Sequence, residues 1–214
     1  MVRLGRMSFS ASERTQLAKL LLEVGPDAPT LCGDWTTRDL AIHLYLRENR
    51  PDAAAGMFIG SVKGHLERVT EQVGRSMTYE RVVGEWAKGP ARFNPMRLVD
   101  PLVNAGEHYV HHEDVRRAQE KWQPRAFGQE DRKALHRVLQ TMSRLLLSKT
   151  TVPLVLNPEG MDRIVVIEQR GVANPAQSVQ VIGSVSELVL WAYNRPTVGV
   201  RVDGEQNAIA RREA

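Results

Sequence analysis

The chain has 214 residues, of which 42% are hydrophobic and 25% charged, with a formal net charge of +4. These are ordinary globular values that exclude wholesale disorder, and no apolar run approaches the ~20 residues that span a bilayer. The start lacks the apolar stretch of a signal peptide, and a single cysteine, Cys32, excludes an internal disulfide framework, so we expect a cytoplasmic protein.

The basic residues are spread along the chain and form no long run. Nucleic-acid binders usually gather such residues on one face or tail, so we expect no nucleic-acid partner, and the lack of a long apolar run predicts no membrane partner. The net positive charge then reflects either a solvated surface or the attraction of an anionic small-molecule substrate.

Residues 8–149 have the pattern of a helical bundle. Ser10 and Glu13 have capping-box spacing at the start of a first helix, which Gly25 ends, and Thr36 begins a second helix in a similar way. Caps or helical spacing indicate four further helices, at 62–73, after Thr78, after Asp100-Pro101 and at 135–146.

After residue 149 the pattern changes to short β-branched runs. Strands are predicted at 152–156, 163–167, 178–182 and 197–202, with a capped amphipathic helix at 184–193. The predicted fold is therefore mainly α. A helical bundle over 8–149 precedes a small α+β C-terminal domain over 150–205 and a flexible tail over 206–214.

Three residues on two helical segments have the chemistry of a metal site. Glu107 and His111 are four residues apart and share one helix face, and His43 lies on a second, mostly apolar helix that we expect to be buried. Two imidazoles and one carboxylate suit zinc with an open fourth position, and packed helices lie close enough for such ligands to converge. The alternatives are a satisfied core histidine at residue 43 and a polar contact within one helix for the Glu107–His111 pair.

Helical angles separate this pair from a competing one. With steps of about 100° per residue, Glu107 and His111 border the apolar stripe of their helix. His108 and His112 fall on the opposite side and are predicted to face solvent. Asp114 falls on the inner side, where it is a candidate acceptor for an imidazole N–H or a structural ion-pair partner.

Two motifs occur in order along the chain, W-T-x-x-D-L-x-x-H-L at residues 35–44 and E-x-x-x-H-x-x-D at 107–114. Together they resemble the DinB/YfiT-like helical metalloprotein superfamily, and more closely its actinobacterial branch of mycothiol-dependent maleylpyruvate isomerases. Residues 183–195 resemble the helix of that branch's small C-terminal domain.

The resemblance implies a DinB-like bundle that binds a divalent metal, usually zinc, through His43, Glu107 and His111. It also implies a mycothiol-like thiol as cofactor. The implied reaction is isomerisation or S-transfer on a small electrophilic, anionic substrate. Arg195 would then bind the substrate carboxylate or, alternatively, be a surface residue in a helix-end turn. Branch members often have Gly-Arg where this chain has Asn194-Arg195.

Other functions stay open at this point. The same bundle would also suit a metal-binding or ligand-sensing protein without turnover, or a purely structural protein, and a homodimer is compatible with either. Trp35 and Trp191 are predicted to be packing residues. Cys32 is predicted to be packed rather than nucleophilic, because no base motif stands beside it in the sequence.

Overall fold

A computed structural model describes residues 7–54, 63–90, 101–168 and 178–211. The predicted fold class is confirmed, since helices fill the first part of the chain and a small sheet with one helix follows. The elements in chain order are α1 (Phe9–Val24), α2 (Thr37–Asn49), α3 (Pro51–Ala54), α4 (Lys63–Ser76), α5 (Tyr79–Ala87), α6 (Pro101–Arg117), α7 (Gln129–Leu146), β1 (Leu154–Pro158), β2 (Ile164–Ile167), β3 (Val179–Gly183), α8 (Val185–Ala192) and β4 (Arg201–Asp203).

Local caps determine where the first two helices begin. The capping box of α2 is confirmed, because Thr36 accepts from the backbone N–H of Asp39 while Asp39 accepts from that of Thr36. The predicted start of α1 at Ser10 is wrong by two residues, since the cap is Ser8, whose hydroxyl accepts from the N–H of Ala11. Both serines are competent caps, and the helix continues back to the earlier one.

Other differences from the predicted helices are small. The short helix α3 was not predicted. Val62 and Asp100, which were assigned to helix starts, lie outside the described residues. Gly25 ends α1 as predicted, with a φ of 83° that favours glycine.

The first of two structural units comprises the described residues up to Asn104 together with His111–Gln123. Its apolar core is formed by α1, α2, α4 and α5, and Trp86 is wholly buried within it. The Trp86 indole donates to Glu48 at 3.0 Å, and Arg14 pairs with the same carboxylate at 2.7 Å. A buried carboxylate is costly without such partners, so this network fixes α1, α2 and α5 against one another.

The second unit comprises Ala105–Val110 and the chain from Pro124 onward. Its sheet has the order β2-β1-β3-β4, in which β1 and β3 are parallel and the outer pairings are antiparallel. Helices α7 and α8 contact one another within this unit. Whether 8–149 and 150–205 fold as separate domains, with 206–214 as a flexible tail, stays a prediction.

Two predictions in this unit need correction. Strand β4 covers Arg201–Asp203 rather than 197–202, because Gly199 has a left-handed φ of 68° and the N–H of Val198 donates to Glu187. Helix α8 is not amphipathic, since all of its residues are buried. Among the described residues, no helix is long and apolar enough to cross a bilayer.

Tyr79 provides a test of the core of the first unit. Its hydroxyl donates to the carbonyl of Leu21 at 2.8 Å, and burial raises the pKa of Tyr79. The unfolded tyrosine has a pKa of about 10, so the contribution of this residue to stability is complete below that pH and is lost as pH rises through the higher folded pKa.

We expect Tyr79→Phe to lower the free energy of unfolding by about 1 kcal/mol at neutral pH, the usual net contribution of one hydrogen bond. Urea denaturation of both proteins on either side of pH ~10 measures this. The difference between them should shrink on the alkaline side, and a difference independent of pH would contradict the assignment.

Candidate metal centre

Helices α2 and α6 carry the predicted ligand set. His43, Glu107 and His111 each offer one ligand atom, and these atoms all lie within 4.8 Å of one another. Glu107 and His111 are one turn apart on the same continuous helix. The rings of His43 and His111 meet edge to face, with centroids 5.5 Å apart. Two imidazole nitrogens and a carboxylate oxygen at this spacing fit the donor chemistry of a zinc ion.

Asp114 supports His111 from the next turn of α6. Its Oδ2 atom lies 3.1 Å from Nδ1 of His111, and its side chain is only 1% exposed. The contact predicted for Asp114 with an imidazole is thus confirmed. An imidazole that donates through Nδ1 presents Nε2 to a metal, and a carboxylate partner of this kind fixes the ring and increases its basicity.

His43 is half-buried rather than buried, although α2 around it is enclosed. The indole of Trp35 packs against its ring at a tilt of 51°, with centroids 5.1 Å apart, and Trp35 itself is 39% exposed. Trp35 is therefore a wall of the candidate centre that faces solvent. Trp35 packs against His43, as a packing residue is expected to, while part of its side chain meets solvent.

His108 and His112 do not face solvent, contrary to the sequence prediction. Both are buried, because α6 is enclosed on all sides along this stretch. His112 instead bonds through Nδ1 to Glu13 of α1 at 2.8 Å. The helical angle places the two pairs on different faces of α6, but it does not tell whether a face meets solvent or a second helix.

Cys32 packs against the core of the first unit, as predicted, but the sequence did not predict its polar neighbours. Its thiol donates to Oδ2 of Asp114 at 3.0 Å and lies 3.7 Å from Nδ1 of His111. A carboxylate and an imidazole therefore stand beside it, although they are about eighty positions away in the chain. The residue spacing carries no signal of this contact; it arises from the loop between α1 and α2, whose Leu31 N–H donates to the carbonyl of Asp114.

Arg195, the candidate anion-binding residue, lies at the end of α8 and is partly buried. Its Nη1 donates to the carbonyl of Tyr193 at 3.2 Å. The backbone N–H groups of Asn194 and Arg195 bond to Trp191 and Leu190, which is the Schellman pattern of a helix end. Asn194 has a φ of 59°, so it adopts the left-handed conformation that a glycine would take here.

Gly106 precedes Glu107 and packs within the second unit. A Cβ atom at this residue would lie 2.7 Å from the Tyr193 hydroxyl and 3.1 Å from Val138. Both distances are shorter than ordinary van der Waals contact, so a side chain at residue 106 would force its neighbours to move.

The fold and the donor set together define a class: a helical bundle with a candidate metal centre, followed by a small α+β part. The solved structure of a mycothiol-dependent maleylpyruvate isomerase has this fold. It matches 92% of this chain and 90% of its own, with a TM-score of 0.54 and 16% identity. A histidine-to-alanine variant of that enzyme matches equally, at 15% identity.

These similarities establish a mycothiol-isomerase-like fold. No family model matches the chain, and no curated protein sequence does either.

The left-handed residue at the end of α8 gives a matched pair of variants. Alanine at residue 194 meets the steric cost of a left-handed conformation, about 1–2 kcal/mol for an ordinary residue, whereas glycine does not. We expect Asn194→Ala to lower the free energy of unfolding by about 1 kcal/mol, while Asn194→Gly leaves it unchanged or slightly higher. Urea denaturation of the two variants and the parent protein measures the effect. Equal stability of the alanine and glycine variants would contradict the left-handed assignment.

Proposed function

We propose that the protein is a zinc-dependent enzyme that uses a low-molecular-weight thiol, mycothiol or a similar molecule, on a small electrophilic and anionic substrate. The reaction class is isomerisation or S-transfer. The observation that carries the proposal is the convergence of His43, Glu107 and His111 within 4.8 Å, in a fold shared with a mycothiol-dependent isomerase. A cytoplasmic location, where thiols stay reduced, agrees with this chemistry.

The chain's own residues have separate tasks in this proposal. His43, Glu107 and His111 would hold the metal, and Asp114 would keep His111 in the orientation that presents Nε2. A zinc ion with this donor set lowers the pKa of a bound thiol or water. Trp35, part-exposed beside His43, would shield the metal from water on that side.

Arg195 is proposed to bind the substrate's carboxylate. A guanidinium can donate two parallel hydrogen bonds to a carboxylate, which fixes both the position and the angle of the anion. The Schellman turn supports this role, since it holds the backbone of Arg195 against the last turn of α8. The guanidinium already donates from Nη1 to the Tyr193 carbonyl, so it would bind the carboxylate through its remaining N–H groups or break that bond first.

Metal analysis tests the ligand set first. We expect the parent protein to bind zinc stoichiometrically. Loss of a residue that only bonds to a ligand lowers metal affinity by about 10- to 100-fold, and we expect a larger loss of zinc affinity in each of the ligand variants His43→Ala, Glu107→Ala and His111→Ala. His136, a half-buried histidine that bonds to the Asp162 carbonyl, is the matched control, and His136→Ala should retain the metal. Stoichiometric zinc in all of the ligand variants would refute the site.

Activity tests the reaction. We expect the zinc-loaded protein to isomerise maleylpyruvate only when mycothiol is added, as followed by ultraviolet absorbance. Arg195→Lys should raise KM by about 10- to 100-fold, because a charged hydrogen bond contributes about 1.5–3 kcal/mol, with a smaller change in kcat. A zinc-binding protein that shows no thiol-dependent turnover with this substrate or other anionic electrophiles would instead be a metal-binding or ligand-sensing protein on the same bundle.

A further inference from the structure

Cys32, His111 and Asp114 form a second compact set of donors beside the first. Each offers one ligand atom, and the three atoms lie within 4.8 Å of one another. We propose that this set is a second metal position, selective for a thiophilic cation such as Cd²⁺ or Cu⁺. It goes beyond the proposed function and shares only His111 with the first set.

The separations of the donor atoms suit a bound ion. Oδ2 of Asp114 lies 3.0 Å from the Cys32 sulfur and 3.1 Å from Nδ1 of His111, and the sulfur lies 3.7 Å from Nδ1. A tetrahedral zinc-sized ion, with bonds of about 2.3 Å to sulfur and 2.0 Å to nitrogen or oxygen, places its donors about 3.3–3.6 Å apart. Side-chain movements of a few tenths of an ångström therefore admit a small ion, and a larger one such as Cd²⁺ needs somewhat more.

The loop that carries Cys32 is held in place before any ion arrives. Thr30 accepts from the Cys32 N–H at 3.1 Å and donates to the Trp35 carbonyl at 2.8 Å. The N–H of Leu31 donates to the carbonyl of Asp114 at 3.0 Å. Backbone bonds therefore tie the sulfur to the same residue that supplies the carboxylate, so little conformational entropy is lost when an ion binds.

The two positions differ in the metals that they favour. The second set contains a thiol, which as thiolate selects soft ions, whereas the imidazole and carboxylate donors of the first set suit zinc. When the ion binds, the thiol proton leaves to solvent as the metal–sulfur bond forms. Asp114, which is 1% exposed, supplies the carboxylate oxygen of this set.

The shared histidine makes the two positions competitors. In the first position His111 would bind through Nε2 and keep its proton on Nδ1, bonded to Asp114. In the second position Nδ1 itself is the ligand, so that proton and that hydrogen bond are lost. A thiophilic ion at Cys32 would therefore lower the affinity of the first position for zinc without contacting His43 or Glu107.

The single cysteine makes the test unambiguous, because any metal–thiolate signal must come from Cys32. We expect titration of the full-length protein with Cd²⁺ to give the ultraviolet charge-transfer band of a cadmium–thiolate bond, saturating at one ion per chain. Cys32→Ser, which keeps a hydrogen-bond donor to Asp114, should abolish the band and weaken Cd²⁺ binding by more than the about 10- to 100-fold that follows loss of an outer partner. Absence of the band in the parent protein under reducing conditions would overturn the proposal.

A second variant separates this proposal from the proposed function. His43→Ala removes a ligand of the first position only, so it should lose zinc but keep the cadmium–thiolate band. His111→Ala removes a ligand from both and should lose both signals. A band that persists unchanged in His111→Ala would show that Cys32 binds cadmium alone and would overturn the three-residue site. Stoichiometric zinc in His43→Ala, Glu107→Ala and His111→Ala alike would refute the first position, whereas the cadmium–thiolate band alone decides the second.

Discussion

Helix α6 carries a run of polar side chains through a buried part of the molecule. Burial of an unsatisfied polar group costs on the order of a few kcal/mol, so each must be bonded. Glu13 of α1 bonds to His112, Asp114 bonds to His111, and Arg117 bonds to Glu113 at 2.6 Å. Only the bond to Glu13 comes from another helix, so it restrains the rotation of α6 about its axis, whereas the other two bonds hold side chains of α6 in place.

What the sequence predicts well is local. The capping box at Thr36, the glycine that ends α1 and the four-residue spacing of Glu107 and His111 all depend on neighbours within one or two turns. The sequence predicts poorly which other element packs against each face of a helix or strand. His112 meets Glu13 from a distant helix, and Gly199 turns residues 197–200 away from the sheet although their alternation suits a strand.

The contacts of Asp114 show which kind of contact residue spacing does not predict. One carboxylate oxygen serves two neighbours, the imidazole one turn before it and a thiol from the loop between α1 and α2. The first contact is implied by the sequence, whereas the second depends on the path of that loop. A fold match at 16% identity likewise fixes the path of the chain more firmly than the chemistry of its side chains, so the donor sets must be judged on their own geometry.

Gly106 gives the centre an unusual kind of vulnerability. Gly106 directly precedes the proposed ligand Glu107. The space between α6 and the Tyr193 hydroxyl at Gly106 holds a hydrogen atom but no larger group. A methyl group at residue 106 would displace the backbone of α6 next to Glu107, although every donor atom would remain chemically unchanged. Loss of metal binding by such a variant would be a failure of alignment rather than of composition, since ligands that are all present would no longer point at a common centre.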